Sequence, residues 1–382
     1  MSNDILHNKI RGCMIGGAIG DALGYQIEFD RDVKSRQVTK YAAEPGIISD
    51  DTQMTLFTAT SLLWNKTKLI NNEVALLDSD AVYLGYLDWY DTQKNRENNE
   101  IISIIKDIWM RTQKGGSGES ISWIKDIPEL NKRRAPGNTC LISLRSGKMG
   151  TLKKPINNSK GCGGVMRIAP CGILRDTPKA AGELAAECSA ITHGHLLGSY
   201  PSYMCAAMIN LLLYDIVDLE ESVLVALKLT VDNQSVFHEE AHKTSENHID
   251  IFTNLINKAI DLSKQELDDV EAITQLGTGF VAEEALAIAI YACLKYQHSF
   301  EDAIICAVNH GGDSDSTGAI AGNILGAYLG FDNIPQYYVD NVELSNVILE
   351  IADDIHNLAS TSTINKFAQT DSWKKKYIDC KL

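Results

Sequence analysis

Apolar residues recur at steps of three and four along most of the chain, which is the periodicity of amphipathic α-helices. The pattern is clearest at 53–64, 179–191, 196–217, 281–296, 301–309 and 317–330. No series of alternating apolar and polar positions with turn residues at strand spacing accompanies it. The pattern therefore predicts an all-α fold, in which the helices form a single compact, bundle-like domain.

Glycine recurs at every fourth position in two helical segments. The two stripes are Gly16, Gly20 and Gly24 near the start, and Gly318, Gly322, Gly326 and Gly330 further along. A glycine in a helix interior costs about 1 kcal/mol relative to alanine, so a stripe of glycines needs a compensating gain. Because residues at this spacing lie on one helix face, the stripes predict a close approach of helix backbones.

The segment 91–160 has a different character. It is rich in Asn, Lys, Gly and Ser, contains GGSGES at 115–120, and has few long periodic stretches, which indicates loops and short helices. We expect one domain over residues 1–360, with a variable excursion at about 65–135. We expect the C-terminal tail, 361–382, to pack on or near this domain.

Charge and cysteine usage restrict the class of protein. A net charge of −15 without a long Lys/Arg run disfavours a nucleic-acid-binding protein, which needs a basic face. The nine cysteines stand singly, without a CxxC pair, which is typical of reduced thiols in a cytoplasmic protein. The apolar run at 13–19 is too short for a signal peptide, and the run around 211–213 is interrupted by Asn210 and Asp215. We therefore expect no contact with a membrane.

Two acidic segments stand where periodic helices begin. SDDT occupies 49–52, and Asp313 and Asp315 precede the last periodic segment. Either segment alone is explained by helix capping, but a cap needs one such side chain and each segment carries two aspartates. If the fold gathers both pairs, their repulsion calls for a cation. Oxygen ligands without Cys or His favour Mg²⁺ or Mn²⁺, and two pairs suit two ions about 3.5–4 Å apart.

Five motifs follow one another along the chain. They are GCMIGGAIGDALG (12–24) followed by Glu28, SDDTQM (49–54), GCGGVMRIAP (161–170), ITHGH (191–195) and GGDSDSTGAIAGNILGAYLG (311–330). In this order they resemble the ADP-ribosylglycohydrolase family, which includes the dinitrogenase reductase-activating glycohydrolases. Each motif is short, but the ordered set is specific and spans most of the chain.

The resemblance implies an all-helical fold with a two-metal cleft that holds two Mg²⁺, with Mn²⁺ as an alternative. Carried over by motif, the metal ligands are Ser49, Asp50, Asp51, Asp313, Asp315 and Ser316. Glu28 is expected in a mobile loop over the site. The residues expected to contact the phosphates or ribose of ADP-ribose are Gly161, Cys162, Gly163, Gly164 and His193.

The resemblance also implies an activity. Family members hydrolyse the bond between the distal ribose of ADP-ribose and an acceptor, often an arginine nitrogen and sometimes a serine oxygen. Cleavage builds positive charge at the anomeric carbon, and a nearby carboxylate can act as general base. Asp51, Asp315 and Glu28 all stay open as that base. We expect a metal-dependent enzyme that acts on ADP-ribosylated protein, with ADP-ribosyl-arginine as the first candidate.

The sequence departs from the family pattern at three positions. Ser49 and Ser316 stand where the family commonly has threonine, and both keep the hydroxyl. Cys162 stands where many relatives carry asparagine, which affects ligand contacts and acceptor preference. With no histidine near it in sequence, we interpret Cys162 as a small packed thiol rather than a nucleophile.

Two alternatives belong to other classes. A relative of such enzymes can bind and neutralise an ADP-ribosyltransferase, with or without activity of its own; the complete set of aspartates favours the enzyme. His238 to His242 also reads HEEAH, the pattern of zinc proteases, with His248 as a third candidate ligand. The polar residues around this segment favour an exposed helix instead.

Overall fold

The computed structural model describes residues 3–30, 37–93, 120–215, 217–237, 247–359, 368 and 370–382. Within these ranges the fold is all-helical, with isolated β-bridges and no extended strand, which confirms the predicted fold class. The α-helices are α1 Asn3–Tyr25, α2 Asp50–Ile70, α3 Asp78–Thr92, α4 Asn138–Arg145, α5 Ala169–Ile173, α6 Pro178–Ala190, α7 Leu196–Tyr214, α8 Leu219–Asp232, α9 His248–Ser263, α10 Asp269–Thr274, α11 Ala282–Lys295, α12 Phe300–Val308, α13 Ser314–Leu329, α14 Gln336–Asn341, α15 Ser345–Ala359 and α16 Asp371–Tyr377.

The periodic segments coincide with α2, α6, α7, α11, α12 and α13. Local signals account for several of their ends. The Thr177 hydroxyl caps α6 by accepting from the backbone N–H of Ala180, and Pro178 occupies the first turn, where its missing N–H costs nothing. Ser299 caps α12 in the same way. Helices α3, α8, α9 and α15 add to those that the periodicity identified.

The glycine stripes of α1 and α13 pack directly against each other. The two helices run antiparallel, and the facing pairs are Gly12 with Gly326, Gly16 with Gly322, Gly20 with Gly318, and Gly24 with Ser314. A methyl group on Gly20 would lie 2.0 Å from the carbonyl oxygen of Gly318, so no side chain fits between the backbones. This is the most extensive helix–helix contact in the described ranges, and it fixes the end of α1 beside the start of α13.

Helix α7 forms the middle of the core. It is long and apolar enough to cross a membrane by length and composition, but its apolar window is entirely buried inside the protein. It packs against α6, α8 and α13. Burial on all sides explains why it reads as apolar around its whole circumference.

The structure describes some, but not all, of the segments for which the sequence made predictions. Helix α3 lies within the expected excursion at 65–135 and packs regularly on α2. Residues 94–119 and the HEEAH segment, 238–242, lie outside the described residues. In the tail, α16 packs on α2, where the Trp373 indole N–H donates to the Thr67 hydroxyl at 3.0 Å.

Candidate active site

Three helix ends meet where the glycine stripes stop. Gly24, one residue before the end of α1, packs on the backbone of Ser314, the first residue of α13. The start of α2 joins them through Asp21 of α1, which accepts from the backbone N–H groups of Ser49 and Thr52, each at 3.0 Å, and from the Thr52 hydroxyl at 2.5 Å. Ser49 is the N-cap of α2 and Thr52 its third residue, so Asp21 satisfies donors that a helix start leaves open.

Asp21 belongs to the candidate site but was not among the predicted site residues. It is fully buried, and burial together with the charge of Asp315 raises its pKa to about 7. Its place inside the first glycine stripe was visible in the sequence. Its partner, 28 residues further along the chain, was not.

Carboxylates from both acidic segments converge at this junction. Oxygens of Glu28, Asp313 and Asp315 lie within 4.8 Å of one another. Burial, then the charges of Asp315, Asp50 and Asp21, raise the pKa of Glu28 to about 9. Burial and Asp315 also raise the pKa values of Asp50 and Asp51 well above the usual range. The four predicted aspartates and Glu28 thus form one group of carboxylates that repel one another.

The group has the properties of a cation site. Asp51 is 2% exposed, yet its Oδ2 atom has no hydrogen-bond partner in the described part of the chain, and neither has Oε2 of Glu28. No ion pair joins any of these carboxylates to a lysine or arginine among the described residues. Buried carboxylates without compensation are costly, and an oxygen-only donor set suits Mg²⁺ or Mn²⁺. The residues present therefore fit the divalent ions that the sequence implied.

The remaining predicted ligands border the same group. Ser49 accepts from the backbone N–H of Asp51 at 3.1 Å. Burial raises the pKa of Asp315, and hydrogen bonds, one of them with Ser49, oppose this only in part. Asp50 accepts from the backbone N–H of Gly137 at 3.2 Å. The hydroxyl of Ser316 lies 3.8 Å from the sulfur of Met166, and Ser316 is buried.

The predicted glycine loop lies beside the carboxylates. Residues Cys162–Gly164 form one 3₁₀ turn, anchored by a hydrogen bond from the backbone N–H of Cys162 to the carbonyl of Phe280. The Cys162 thiol donates to Oδ2 of Asp313 at 2.7 Å. On its other side the loop covers His193: a methyl group on Gly163 would lie 3.0 Å from Cε1 of the ring, and one on Gly161 would lie 3.4 Å from Nε2.

Arg167 packs against His193 and its neighbours and was not among the predicted site residues. Its guanidinium is fully buried, lies 4.2 Å from the centre of the Tyr86 ring, and donates to the Thr192 hydroxyl at 2.6 Å. Thr192 in turn hydrogen-bonds Nδ1 of His193 at 2.8 Å. Burial and the Arg167 charge lower the pKa of His193 to about 3, so the imidazole is neutral at physiological pH. The only sequence signal was its position in GCGGVMRIAP.

The chain resembles known proteins over much of its length. A sequence model of the family described as ADP-ribosylglycohydrolase matches residues 2–365. ADP-ribosylhydrolase ARH3 of Mus musculus is 24% identical over 54% of this chain, and that match spans 59% of the mouse protein. The ADP-ribosyl-[dinitrogen reductase] glycohydrolase of Rhodospirillum rubrum is 22% identical over 90% of this chain and 93% of its own length.

Two further proteins resemble the chain over most of its length. ADP-ribosylarginine hydrolase Tri1 of Pseudomonas putida is 23% identical over 92% of this chain and 79% of its own length. A solved structure titled "ADP-ribosylglycohydrolase-related protein complex" superposes with a TM-score of 0.56 at 20% identity, covering 93% of this chain and 99% of the other. At that identity the structural likeness concerns the fold.

Proposed function

Because the chain belongs to the ADP-ribosylglycohydrolase family, we propose that it is a metal-dependent hydrolase that removes ADP-ribose from modified protein, with ADP-ribosyl-arginine as the preferred substrate. The observation that supports this most is a single contact. The thiol of Cys162, in the glycine loop, touches the carboxylate of Asp313, in the acidic group. The proposed cradle for phosphates and the proposed cation site would therefore be immediate neighbours, as a substrate with a pyrophosphate next to a ribose requires.

In this proposal Ser49, Asp50, Asp51, Asp313, Asp315 and Ser316 hold two Mg²⁺ or Mn²⁺ ions. When bound, the ions would orient the ribose hydroxyls and compensate the buried carboxylates. The chain's own part is to place the ligands: the contact of α1 with α13 and the Asp21 hydrogen bonds bring the two acidic segments together. The glycine loop would receive the pyrophosphate through backbone N–H groups.

Glu28 is our first candidate for the general base, ahead of Asp51 and Asp315. The residue as a whole is half-buried, whereas the two aspartates are 2% and 3% exposed, so Glu28 lies nearest to solvent among the three. One of its oxygens has no partner in the described part of the chain. Cations bound to the neighbouring aspartates would lower the raised pKa of Glu28, and the ionised carboxylate could then accept a proton from a water that attacks the anomeric carbon.

Arginine is preferred as the acceptor for two reasons. A relative that matches over most of the chain bears the name ADP-ribosylarginine hydrolase. The acidic group and the net charge of −15 would also attract a positively charged guanidinium as it approaches the site. Serine-linked ADP-ribose is the competing substrate.

The proposal is tested by measuring the release of free ADP-ribose from peptides mono-ADP-ribosylated on arginine or on serine, with Mg²⁺, with Mn²⁺ and with EDTA. We expect metal-dependent release, faster from the arginine peptide. The double variant Asp50→Asn/Asp51→Asn should lose at least about 10²-fold in rate, since even residues outside a metal's direct ligands cost 10–100-fold. Its helicity should remain, because loss of the charges relieves their repulsion.

An exposed aspartate provides the matched control, since Asp261→Asn should retain full activity. Release that persists in EDTA would refute metal dependence. No release from either peptide, in a folded and metal-loaded sample, would refute the hydrolase proposal for these acceptors and favour a protein that binds a transferase.

A further inference from the structure

We propose that Gln26 and Asn309 are positioning residues for Glu28, which they hold at the rim of the carboxylate group. The inference rests on the proposed function, in which Glu28 is the first candidate for the general base. Neither residue was among the predicted site residues. Both act through hydrogen bonds to the return segment, the residues 38–42 that lead from the Glu28 turn back towards α2.

Glu28 stands at a place where it needs a restraint. Its turn follows α1 directly, and the next residue, Phe29, is 74% exposed. An oxygen of Glu28 nevertheless lies within 4.8 Å of oxygens of Asp313 and Asp315. A carboxylate in this position loses hydration and faces like charges, so in a free surface turn it would rotate towards water.

Gln26 supplies the first restraint. It lies two residues before Glu28, and its side-chain amide bonds to the return segment twice. Nε2 donates to the carbonyl of Lys40 at 3.1 Å, and Oε1 accepts from the backbone N–H of Ala42 at 2.7 Å. Nε2 also donates to the carbonyl of Leu23, in the last turn of α1, at 3.1 Å. One side chain thus joins the end of α1, the Glu28 turn and the return segment.

Asn309 supplies the second restraint. It is the C-cap of α12 and is 9% exposed. Its Oδ1 accepts from the backbone N–H of Val38 at 2.7 Å, and its Nδ2 donates to the carbonyl of Val38 at 2.9 Å, so both backbone groups of Val38 are fixed. Asn309 lies four residues before Asp313. Through the return segment and Gln26, the Glu28 turn is therefore held relative to the chain that carries the second acidic pair.

Loss of either restraint should affect the rate of the chemical step more than the binding of substrate. A general base has to lie within about 2.6–3.2 Å of the group whose proton it accepts. A displacement of about 1 Å can cost about 10²-fold in rate. The proposed contacts to the ribose and the phosphates are made by other elements of the fold, so KM should stay close to the wild-type value.

A double-mutant cycle with Glu28→Gln tests the proposal on the full-length protein, by the release of ADP-ribose from the arginine peptide with Mg²⁺. We expect Asn309→Ala and Gln26→Ala each to lower kcat by about 10–100-fold, with little change in KM. In the Glu28→Gln background neither should lower kcat further, because the group that they position is gone. The Gln26 hydrogen bonds lie near the surface, so Gln26→Ala tests the proposal even if Asn309→Ala does not fold.

Asn65 provides a matched control, because it forms the same pair of hydrogen bonds with another backbone. Its Oδ1 accepts from the N–H of Leu76 at 2.9 Å, and its Nδ2 donates to the carbonyl of Leu76 at 3.0 Å. It lies about 22 Å along α2 from Asp50, at 1.5 Å per residue. Asn65→Ala should lower stability and leave kcat of the folded protein unchanged.

Hydrogen exchange of the metal-free protein gives a reading that needs no turnover. The amide of Val38 should exchange slowly in wild type and faster in Asn309→Ala. The amide of Ala42 should behave in the same way in Gln26→Ala. Fast exchange of both amides in the wild-type protein would overturn the proposal whatever the activity.

The kinetic outcomes separate this inference from the proposed function. Unchanged kcat in both single variants would overturn the inference. An equal loss in the Glu28→Gln background would overturn it too, since it would indicate a general effect on the fold. Full activity of Glu28→Gln would exclude Glu28 as the base and leave the hydrolase proposal intact. A wild-type protein that released no ADP-ribose from either peptide would overturn the proposed function and this inference together.

Discussion

At the scale of single residues, Asp21 has the clearest structural role. Its carboxylate lies on α1 but completes the first turn of α2, so one buried side chain links the two helices that carry the candidate site. A residue with this role is invisible to rules that look for capping residues next to the helix they cap.

Replacing Asp21 by alanine should lower the free energy of unfolding by about 2–4 kcal/mol, because two buried backbone N–H groups and the Thr52 hydroxyl lose their acceptor. Urea unfolding in EDTA measures this without a contribution from metal binding. Asp21→Asn, which keeps one acceptor oxygen, should lose less. Equal stability of the alanine variant and wild type would show that water replaces the carboxylate.

His193 predicts a dependence of stability on pH. Its folded pKa of about 3 lies below the unfolded value of 6.5, because it is buried beside Arg167. Between these two pKa values the unfolded chain takes up a proton that the folded chain does not. The contribution of His193 to the free energy of unfolding is therefore full above pH 6.5 and is lost progressively as the pH falls towards 3. His193 contributes at most about 1.4 kcal/mol per pH unit to the slope of the free energy of unfolding against pH.

Urea unfolding at several pH values, on wild type and His193→Gln, isolates this contribution as the difference between the two curves. The exposed His298→Gln is the control. Parallel curves for wild type and His193→Gln between pH 6.5 and 4 would contradict a buried neutral imidazole.

At the scale of helices, the contact of α1 with α13 decides where the site forms. Gly20→Ala should destabilise the protein by about 3 kcal/mol or more, because its methyl group would lie 2.0 Å from a backbone oxygen and neither helix can move without opening the contact. Chemical denaturation measures the change. The effect on activity should follow, since both acidic segments depend on this contact.

Gly198 of α7 provides the control for helix propensity. A methyl group there has no neighbour closer than 3.6 Å, so Gly198→Ala should be neutral or stabilise by up to about 1 kcal/mol. If Gly20→Ala and Gly198→Ala changed the free energy of unfolding by the same amount, helix propensity rather than close packing would explain the effect of Gly20→Ala.

At the scale of the whole molecule, the C-terminal helix closes over α2. Trp373 is 3% exposed and donates to Thr67, while Tyr377 donates to the buried carboxylate of Asp354 at 2.7 Å. Trp373→Ala should cost about 3–5 kcal/mol, the usual loss for a large aromatic side chain in a core. Lys375→Ala, exposed on the same helix, should stay within about 0.5 kcal/mol of wild type.

Thermal unfolding and hydrogen exchange together locate this effect. Faster exchange confined to α16, with an unchanged unfolding temperature, would show that the tail is a separate layer rather than part of the cooperative core. A lower unfolding temperature for the whole protein would show that it belongs to the core.

Local sequence patterns were enough to predict the helical class, the main helices and the places where acidic residues precede them. These properties are local: periodicity, capping residues and the spacing of Asp50, Asp51, Asp313 and Asp315 are read within one or two turns of chain. The family motifs added an ordered set of candidate site residues, which includes Glu28 and His193.

Which helix surfaces meet became clear from the folded structure. Each glycine stripe predicted a close contact, but its partner was fixed by the antiparallel pairing of α1 with α13, some 300 residues apart. The tertiary fold also brings Asp21 to its hydrogen-bond partners at the start of α2. It places Arg167 next to Thr192, the neighbour of His193, and it brings Cys162 into contact with Asp313. Such contacts depend on long-range complementarity of shape and charge, which a local pattern of residues does not encode.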